Sequence, residues 1–392
     1  MRHHEQTSHP EPCIIDHCSP VFLQPLVVQA ADRPFIQATL VWSKPAIQDL
    51  ASLAVLKFMT SATLATGGPP EESPEGASLK RGSVELLDVQ TGTVAQRISW
   101  SAPLSTSNFA LRAVLPLSDG RFVFQSWDQL TLFSAAGEIV TTRTLPMESR
   151  RADYNPNLTH WDIWQFAASP DGRDLLAIRR AVNSREIEEH WLSVETLEDV
   201  QVRSDSARRP YMTEASCTTA VGREQDLHLS GGPKKEPIVI RTKNGAAHPL
   251  CPKCYGSAAL FLDDNHIVVS GWPRARFLVV STEGQIQVDR TVGGKDDHII
   301  QMSVAALSQQ VAFLRGPQRM QNNTGKYSVF IYDAVRKKAV LLLQIPEHIH
   351  VERVESLGIM ETRIPPQIAL SPDGRSLAIL DDSSLQMYGL TP

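Results

Sequence analysis

The chain has 392 residues, of which 42% are hydrophobic and 21% charged, and its formal net charge is −5. This composition is near that of globular proteins and too apolar for a chain that is disordered throughout. The negative net charge excludes the basic field by which proteins bind nucleic acids. No apolar run is long enough to span a membrane. We therefore predict a folded, soluble protein that binds no nucleic acid.

The N-terminal residues have no regular pattern. Residues 1–19 are polar and rich in His and Pro, which predicts a disordered tail ahead of a single domain over residues 20–392. Residues 21–28 suit a strand, but Pro25 removes a backbone donor and confines that strand to an edge. Polar residues and Pro25 interrupt the apolar stretch 21–31, unlike a signal peptide. The sequence does not decide between a cytoplasmic and a periplasmic or secreted location.

The first repeating unit is predicted to contain four strands. Residues 36–42, 52–59, 82–88 and 93–100 have the β-branched and alternating character of strands. Residues 67–80 between them are rich in Pro, Gly and Glu, and cannot bury enough apolar surface to offset their ordering entropy. We predict that this segment is a mobile surface loop.

One turn sequence occurs three times. Ser-Pro-Asp-Gly-Arg stands at residues 169–173 and 371–375, and a shortened Ser-Asp-Gly-Arg stands at 118–121. Short apolar runs flank each copy, which is typical of a hairpin. The aspartates at 119, 171 and 373 are 52 (171 − 119) and 202 (373 − 171) residues apart, so the second spacing is about four times the first. A period of about 50 residues indicates a propeller.

Seven such units fit the chain. They span residues 36–100, 111–145, 162–202, 216–250, 257–292, 303–345 and 367–390. The last unit has room for about three strands, so the spare strand at residues 21–28 is expected to supply the fourth and close the ring. The predicted fold is an all-β, monomeric, seven-bladed β-propeller of four-stranded antiparallel blades, the last closed by an N-terminal strand.

The turns and their flanking strands resemble the WD40-like β-propeller repeats of TolB-type and related bacterial proteins. The resemblance covers most of the chain at the level of fold and implies the architecture, but no particular activity. The Trp-Asp pair of true WD40 repeats ends the third strand. Here Trp127-Asp128 lies near a hairpin turn and Trp161-Asp162 lies before a strand, so neither matches that signature.

Cys251 and Cys254 form the sharpest local motif, because two thiols at this spacing can share a metal ion or form a redox pair. A structural zinc site needs four ligands, and the remaining candidates are Cys217 and His248. We favour a structural disulfide or inert thiols. The pairing stays open between Cys251 with Cys254 and Cys217 with either of them.

His348 and His350 alternate with Glu352, so a strand would place all three side chains on one face, where they could hold a metal ion. A solvated strand face or loop is the favoured interpretation, and no metal or other cofactor is predicted. The chain also lacks the G-x-S-x-G, P-loop, H-E-x-x-H and G-x-G-x-x-G motifs. The usual local evidence for a hydrolase, an NTPase, a metalloprotease or a dinucleotide-binding enzyme is therefore missing.

Two function classes remain, and we favour a binding or scaffolding module for a protein or small ligand over an enzyme. Loop segments 148–164 and 316–326 are the predicted binding segments, because function concentrates in loops on rigid scaffolds. The first contains aromatic and Arg side chains of the kind that anchor interfaces. The predicted binding residues are Arg150, Arg151, Tyr154, His160, Trp161 and Trp164. Alternatively, the tryptophans pack between blades.

The second class is a propeller hydrolase, lactonase or lyase with its site at the central channel. Propeller enzymes gather site residues from several blades, so no local motif is required. Convergence of two or more histidines with a carboxylate would distinguish this class from a binding module. The histidines concerned are His160, His248, His266, His298, His348 and His350.

Overall fold

All the regular secondary structure that the computed structural model describes is β-strand. The described residues belong to the compact unit Pro34–Pro392. They are residues 36–46, 55–68, 79–103, 112–117, 119–126, 129–145, 164–180, 187–205, 220–228, 238–256, 258–271, 275–294, 297–317, 327–345, 365–381 and 384–391. No helix in these ranges is long and apolar enough to cross a bilayer.

The strands form seven four-stranded antiparallel sheets, which are the blades. Blade 1 contains β2 (Leu56–Phe58), β3 (Thr63–Gly67), β4 (Leu79–Asp88) and β5 (Val94–Pro103). Blade 2 contains β6 (Arg112–Pro116), β7 (Phe122–Ser126), β8 (Gln129–Phe133) and β9 (Ile139–Thr144). Blade 3 contains β10 (Gln165–Ala168), β11 (Leu175–Arg180), β12 (Ile187–Leu192) and β13 (Asp199–Asp205).

Blade 4 contains β14 (Val221–Gly222), β15 (Gln225–His228), β16 (Val239–Thr242) and β17 (Ala247–Pro249). Blade 5 contains β18 (Ala258–Phe261), β19 (His266–Gly271), β20 (Arg276–Ser281) and β21 (Ile286–Thr291). Blade 6 contains β22 (Asp297–Ala305), β23 (Gln310–Pro317), β24 (Ser328–Asp333) and β25 (Lys338–Gln344). Blade 7 contains β26 (Gln367–Leu370), β27 (Ser376–Leu380), β28 (Ser384–Thr391) and β1 (Gln37–Pro45). The predicted seven-bladed propeller is confirmed.

The last blade is closed by β1, which pairs antiparallel with β28 from Gln37 opposite Thr391 to Pro45 opposite Ser384. The predicted identity of the closing strand was therefore wrong. Residues 36–42 do not belong to the first blade, and residues 21–28 lie outside the described residues. The cause is physical: both segments have strand character, and the backbone hydrogen bonds that choose between them come from residues more than 300 positions away.

The repeated turn joins the first and second strands of a blade. In blade 7, the Ser371 hydroxyl donates to Asp373 at 2.7 Å, and the Arg375 amide donates to the same carboxylate at 3.1 Å. Gly374 completes the turn with a φ of 71°, a conformation that costs glycine little. The copies at 119–121 and 169–174 repeat the aspartate-to-amide bond and the positive-φ glycine. The serine, aspartate and glycine of the motif thus shape the turn locally.

First strands lie at the centre of the ring and fourth strands at its circumference. The first strands of neighbouring blades contact each other, as β22 and β2 do with β26. Fourth strands are largely exposed, with Ile139 at 67% and Val200 at 60%. Several second and third strands, such as β20 and β27, are nearly continuous apolar runs because both of their faces pack against other blades.

The core therefore lies between blades. Phe277 of blade 5 packs against Phe313 and Tyr332 of blade 6, with ring centroids 4.6 and 4.9 Å apart. Each fully buried side chain of this size contributes about 1.5–3 kcal/mol to folding.

The two faces of the ring have different connections. Turns between first and second strands and between third and fourth strands lie on one face, which we call the turn face. Hydrogen bonds link these turns from blade to blade, as between the Glu224 amide and Asp174 at 3.0 Å. Connections from second to third strands and from blade to blade begin and end on the opposite face, which we call the connection face.

Candidate functional site

Both predicted binding segments begin and end on the connection face. Residues 145–164 link β9 to β10, and residues 318–327 link β23 to β24. Arg150, Arg151, Tyr154, His160 and Trp161 lie outside the described residues, so their role stays a prediction. Trp164, where the first segment joins β10, is described.

Trp164 is 1% exposed and packs in the cluster between blades 2 and 3. Its carbonyl accepts a 3.1 Å hydrogen bond from the Gln125 side chain. The Arg179 guanidinium lies 4.6 Å from its ring centroid, and the His190 ring meets it edge-on at 4.9 Å. Trp164 is therefore a core residue at the base of the predicted segment and not a surface contact. This agrees with the alternative interpretation, in which the tryptophans pack between blades.

His190 beside Trp164 lies between two carboxylates. Its Nδ1 is 2.7 Å from Asp199 Oδ1, and its Nε2 is 2.8 Å from Glu188 Oε1. A neutral imidazole has one N–H, so only the imidazolium donates to both. Arg143 and Arg179 bind the far sides of Asp199 and Glu188 at 2.7 and 2.6 Å. Both ring nitrogens are engaged, so the cluster supports the base of the segment and leaves no nitrogen available as a general base.

This cluster is not among the predicted sites, although the sequence contains a signal of it. Glu188 and His190 alternate along β12, so both point to the side of blade 2, while Glu189 and Trp191 point to blade 4. The sequence shows this alternation. It does not show Asp199, which reaches His190 only through the pairing of β12 with β13.

The pKa of Asp199 is below its ordinary value of 3.8: partial burial raises it, but hydrogen bonds from Arg143 and His190 lower it by more. A lowered folded-state pKa contributes stability that is present above 3.8 and is lost as the pH falls through the folded value. At neutral pH we expect the parent to have a higher free energy of unfolding than Asp199→Asn. This difference should disappear as the pH falls below about 3.8. Urea unfolding from neutral to acid pH measures this, and a pH-independent difference would contradict it.

On the other side of blade 3, buried charges accompany the apolar contacts between blades 3 and 4. The Arg241 guanidinium of blade 4 contacts the carboxylates of Glu189 in blade 3 and Asp226 in its own blade, the latter at 3.4 Å. Arg203 also binds Glu189, with Nε 2.9 Å from Oε2. Glu189, Asp226 and Arg241 are 1%, 0% and 4% exposed, and burial lowers the pKa of Arg241 to about 10. This network joins blades 3 and 4.

Cys251 and Cys254 form a disulfide in the connection between blades 4 and 5. Of the open pairings, the structure shows this one, and Cys217 lies outside the described residues. The two cysteines are 4% and 0% exposed and pack in the cluster between those blades. The Ile238 amide donates to the Cys254 carbonyl at 2.7 Å, which ties the loop to blade 4. The geometry fits the structural role that we predicted.

Replacing both cysteines by serine is expected to cost about 2 kcal/mol of unfolding free energy, since the disulfide closes a very short loop. Dithiothreitol treatment of the parent should give the same loss, measured by urea unfolding. A zinc equivalent released when the parent unfolds would contradict the structural assignment.

The described histidines of the enzyme hypothesis do not converge. His248 lies on the fourth strand of blade 4, and His298 lies at the start of the first strand of blade 6. His266 lies on the turn face with Nδ1 2.9 Å from Asp263. His160, His348 and His350 lie outside the described residues. Within those residues, no three His, Cys, Asp or Glu side chains form a group that could hold a metal ion.

No protein-family model matches the chain, and no curated protein matches it at a significant level. Solved structures do. An oligogalacturonate lyase in complex with manganese is 11% identical, with a TM-score of 0.50 over 92% of this chain and 99% of that one. The oligogalacturonate lyase of Vibrio parahaemolyticus is 9% identical, with a TM-score of 0.52 over 90% and 98%. TolB from Acinetobacter baumannii is 12% identical, with a TM-score of 0.38 over 84% and 80%.

At 11% and 9% identity, the two lyase structures are evidence of a shared fold alone. The architecture that the WD40-like resemblance implied is the one found, a ring of seven four-stranded blades.

Proposed function

We propose that the protein is a binding module that recognises a protein or small ligand through its connection face. The observation that carries this proposal is the unequal length of the connections on the two faces. On the turn face, the longest turns are residues 169–174 and 193–198. On the connection face, the longest connections are much longer: residues 145–164, 206–220 and 345–366.

Long connections on a rigid framework are where binding residues concentrate. A chain that only needed to close its ring could use short connections throughout, as the turn face does. The segment that joins β9 to β10 also contains Arg150, Arg151, Tyr154 and Trp161, and aromatic and Arg side chains supply most of the binding energy at interfaces. Its C-terminal end joins the rigid cluster of Trp164.

The enzyme alternative has no specific observation in its favour. The activity of the two oligogalacturonate lyases is not assigned to this chain, because proteins that share a fold at 9% and 11% identity need not share a reaction. A protein or small ligand is the proposed partner, nucleic acid is not, and the module is proposed to act as a monomer.

Affinity capture from a lysate of the source cells, quantified by mass spectrometry, tests the proposal with matched variants. Trp161→Ala with Arg151→Ala should reduce recovery of a specific partner by about tenfold or more, since interface anchors cost more than about 1 kcal/mol each when truncated. Arg97→Ala is the control, because Arg97 lies on the outer strand of blade 1 and is half exposed. Equal recovery by parent and both variants would refute the binding role of this segment.

A further inference from the structure

Exposed apolar side chains of the described residues lie almost entirely on outer strands. The exceptions are Leu307, which is 79% exposed, and Val335, which is 66% exposed. Both lie on turns of blade 6, at residues 306–309 and 334–337. No described turn of another blade exposes a large apolar side chain, and the exposed residues there include Arg223, Glu224 and Glu283. Apolar side chains grouped on an otherwise polar face indicate an interaction surface.

The two turns are held together. The Ala334 amide donates to the Gln309 carbonyl at 3.0 Å, so the turns of Leu307 and Val335 are direct neighbours. The Leu307 amide donates to the Pro372 carbonyl of blade 7 at 3.0 Å. The Gln309 side chain donates to Asp263 of blade 5 at 2.6 Å. Three blades thus fix the positions of the two apolar residues, which lowers the entropy lost when a partner binds.

Both turns also keep a residue other than glycine in the left-handed conformation. Gln309 has a φ of 51° and Lys337 a φ of 53°. Leu197 and Glu224 in turns of blades 3 and 4 are also left-handed, whereas the turns at residues 172, 284 and 374 use glycine. In place of glycine the turns carry side chains, and one of them is a cation.

Positive charge surrounds the apolar pair. Arg336, Lys337 and Lys338 are exposed directly after Val335, and Arg375 is exposed on the blade 7 turn next to Leu307. The nearby carboxylates are engaged. Asp333 is 4% exposed, accepts from the Arg336 amide and lies 3.8 Å from the Arg336 guanidinium. Asp373 accepts within its own turn, and Asp263 binds Gln309 and His266. This basic surface contrasts with the chain's net charge of −5.

We infer that Leu307, Val335 and the four surrounding cations form a docking site, the blade 6 patch, for an acidic peptide segment that presents apolar residues between Asp and Glu. The apolar pair takes up an apolar side chain of the segment, and the cations pair with its carboxylates. Two apolar side chains on tight turns offer too little apolar surface to enter a bilayer, which favours a peptide over a membrane. This site is separate from the one proposed on the connection face.

Fluorescence anisotropy of the full chain tests this inference, with a dye-labelled synthetic peptide in which leucines alternate with pairs of Asp or Glu. The parent should bind it, and more weakly as salt is added. Leu307→Ser with Val335→Ser should weaken binding by about tenfold or more, and so should Arg336→Glu with Lys337→Glu. The matched controls are Ile139→Ser with Val140→Ser on the outer strand of blade 2, and Lys253→Glu on the connection face. Both control variants should bind like the parent.

Circular dichroism and melting temperature check that each variant is folded, and the charge variant gives an independent measurement. No salt-sensitive binding by the parent, or equal loss in the control variants, would overturn the inference. Preference for phosphatidylserine vesicles over the peptide would assign the blade 6 patch to a membrane. Self-association of the parent that the Leu307/Val335 variant abolishes would assign it to a second copy of the chain. Either result would also overturn the inference.

Discussion

Removal of residues 1–45 is expected to eliminate the cooperative thermal transition and to produce aggregates. This deletion takes away β1, whose ladder with β28 supplies the fourth strand of blade 7. It also removes Trp42, whose Nε1 donates to the Val89 carbonyl of blade 1 at 2.8 Å. The lost ladder and packing are comparable with the whole stability of a domain, about 5–15 kcal/mol. The unpaired edge of β28 would then be free to pair with other chains.

A shorter deletion is the control. Removing residues 1–33 leaves β1 intact, along with the bond from the Ile36 amide to the Val340 carbonyl of blade 6 at 3.2 Å. We expect this truncated protein to unfold cooperatively, as measured by differential scanning calorimetry with light scattering. Equal behaviour of the two deletions would refute closure by β1.

The second large effect is expected at Arg241. Arg241→Met removes the cation shared by two buried carboxylates, Glu189 and Asp226. Breaking a buried ion pair from one side costs about 3–5 kcal/mol, because the partner charge stays buried. We expect urea unfolding to show a loss of this size.

Arg276→Met is the matched control, since the Arg276–Asp289 pair is a close ion pair at 2.7 Å, but its side chains are 33% and 46% exposed. An exposed pair contributes about 0–1 kcal/mol. A loss at Arg241 no larger than the loss at Arg276 would contradict the assignment of the network between blades 3 and 4.

The sequence predicted the blades well because each blade is a local structure. The Ser-Pro-Asp-Gly-Arg turn satisfies its own hydrogen bonds, so the motif marks a hairpin wherever it occurs. Six of the seven predicted units, all except the first, begin and end within about six residues of the observed strands. The largest difference is in blade 6, where β22 begins at Asp297 and the predicted unit begins at residue 303. The strand that closes the ring was assigned wrongly, because ring closure is set by a partner at the far end of the chain.

Contacts between blades were only partly accessible from the sequence. The propeller brings residues one repeat apart side by side, as Asp174 and Glu224 show with a separation of 50 positions. The Arg241–Glu189 pair is 52 positions apart (241 − 189) and follows the same rule. The period was known, but the side of the sheet on which each residue lies depends on strand register, which short strands such as β14 do not reveal.

Hydrogen–deuterium exchange of the protein with and without its captured partner tests most directly whether the connection face of the closed propeller recognises that partner. We expect the partner to slow exchange in peptides covering residues 146–163 or 318–326, while outer strands such as β9 and β13 are unchanged. Slowed exchange in those outer strands, with no change in either segment, would contradict it.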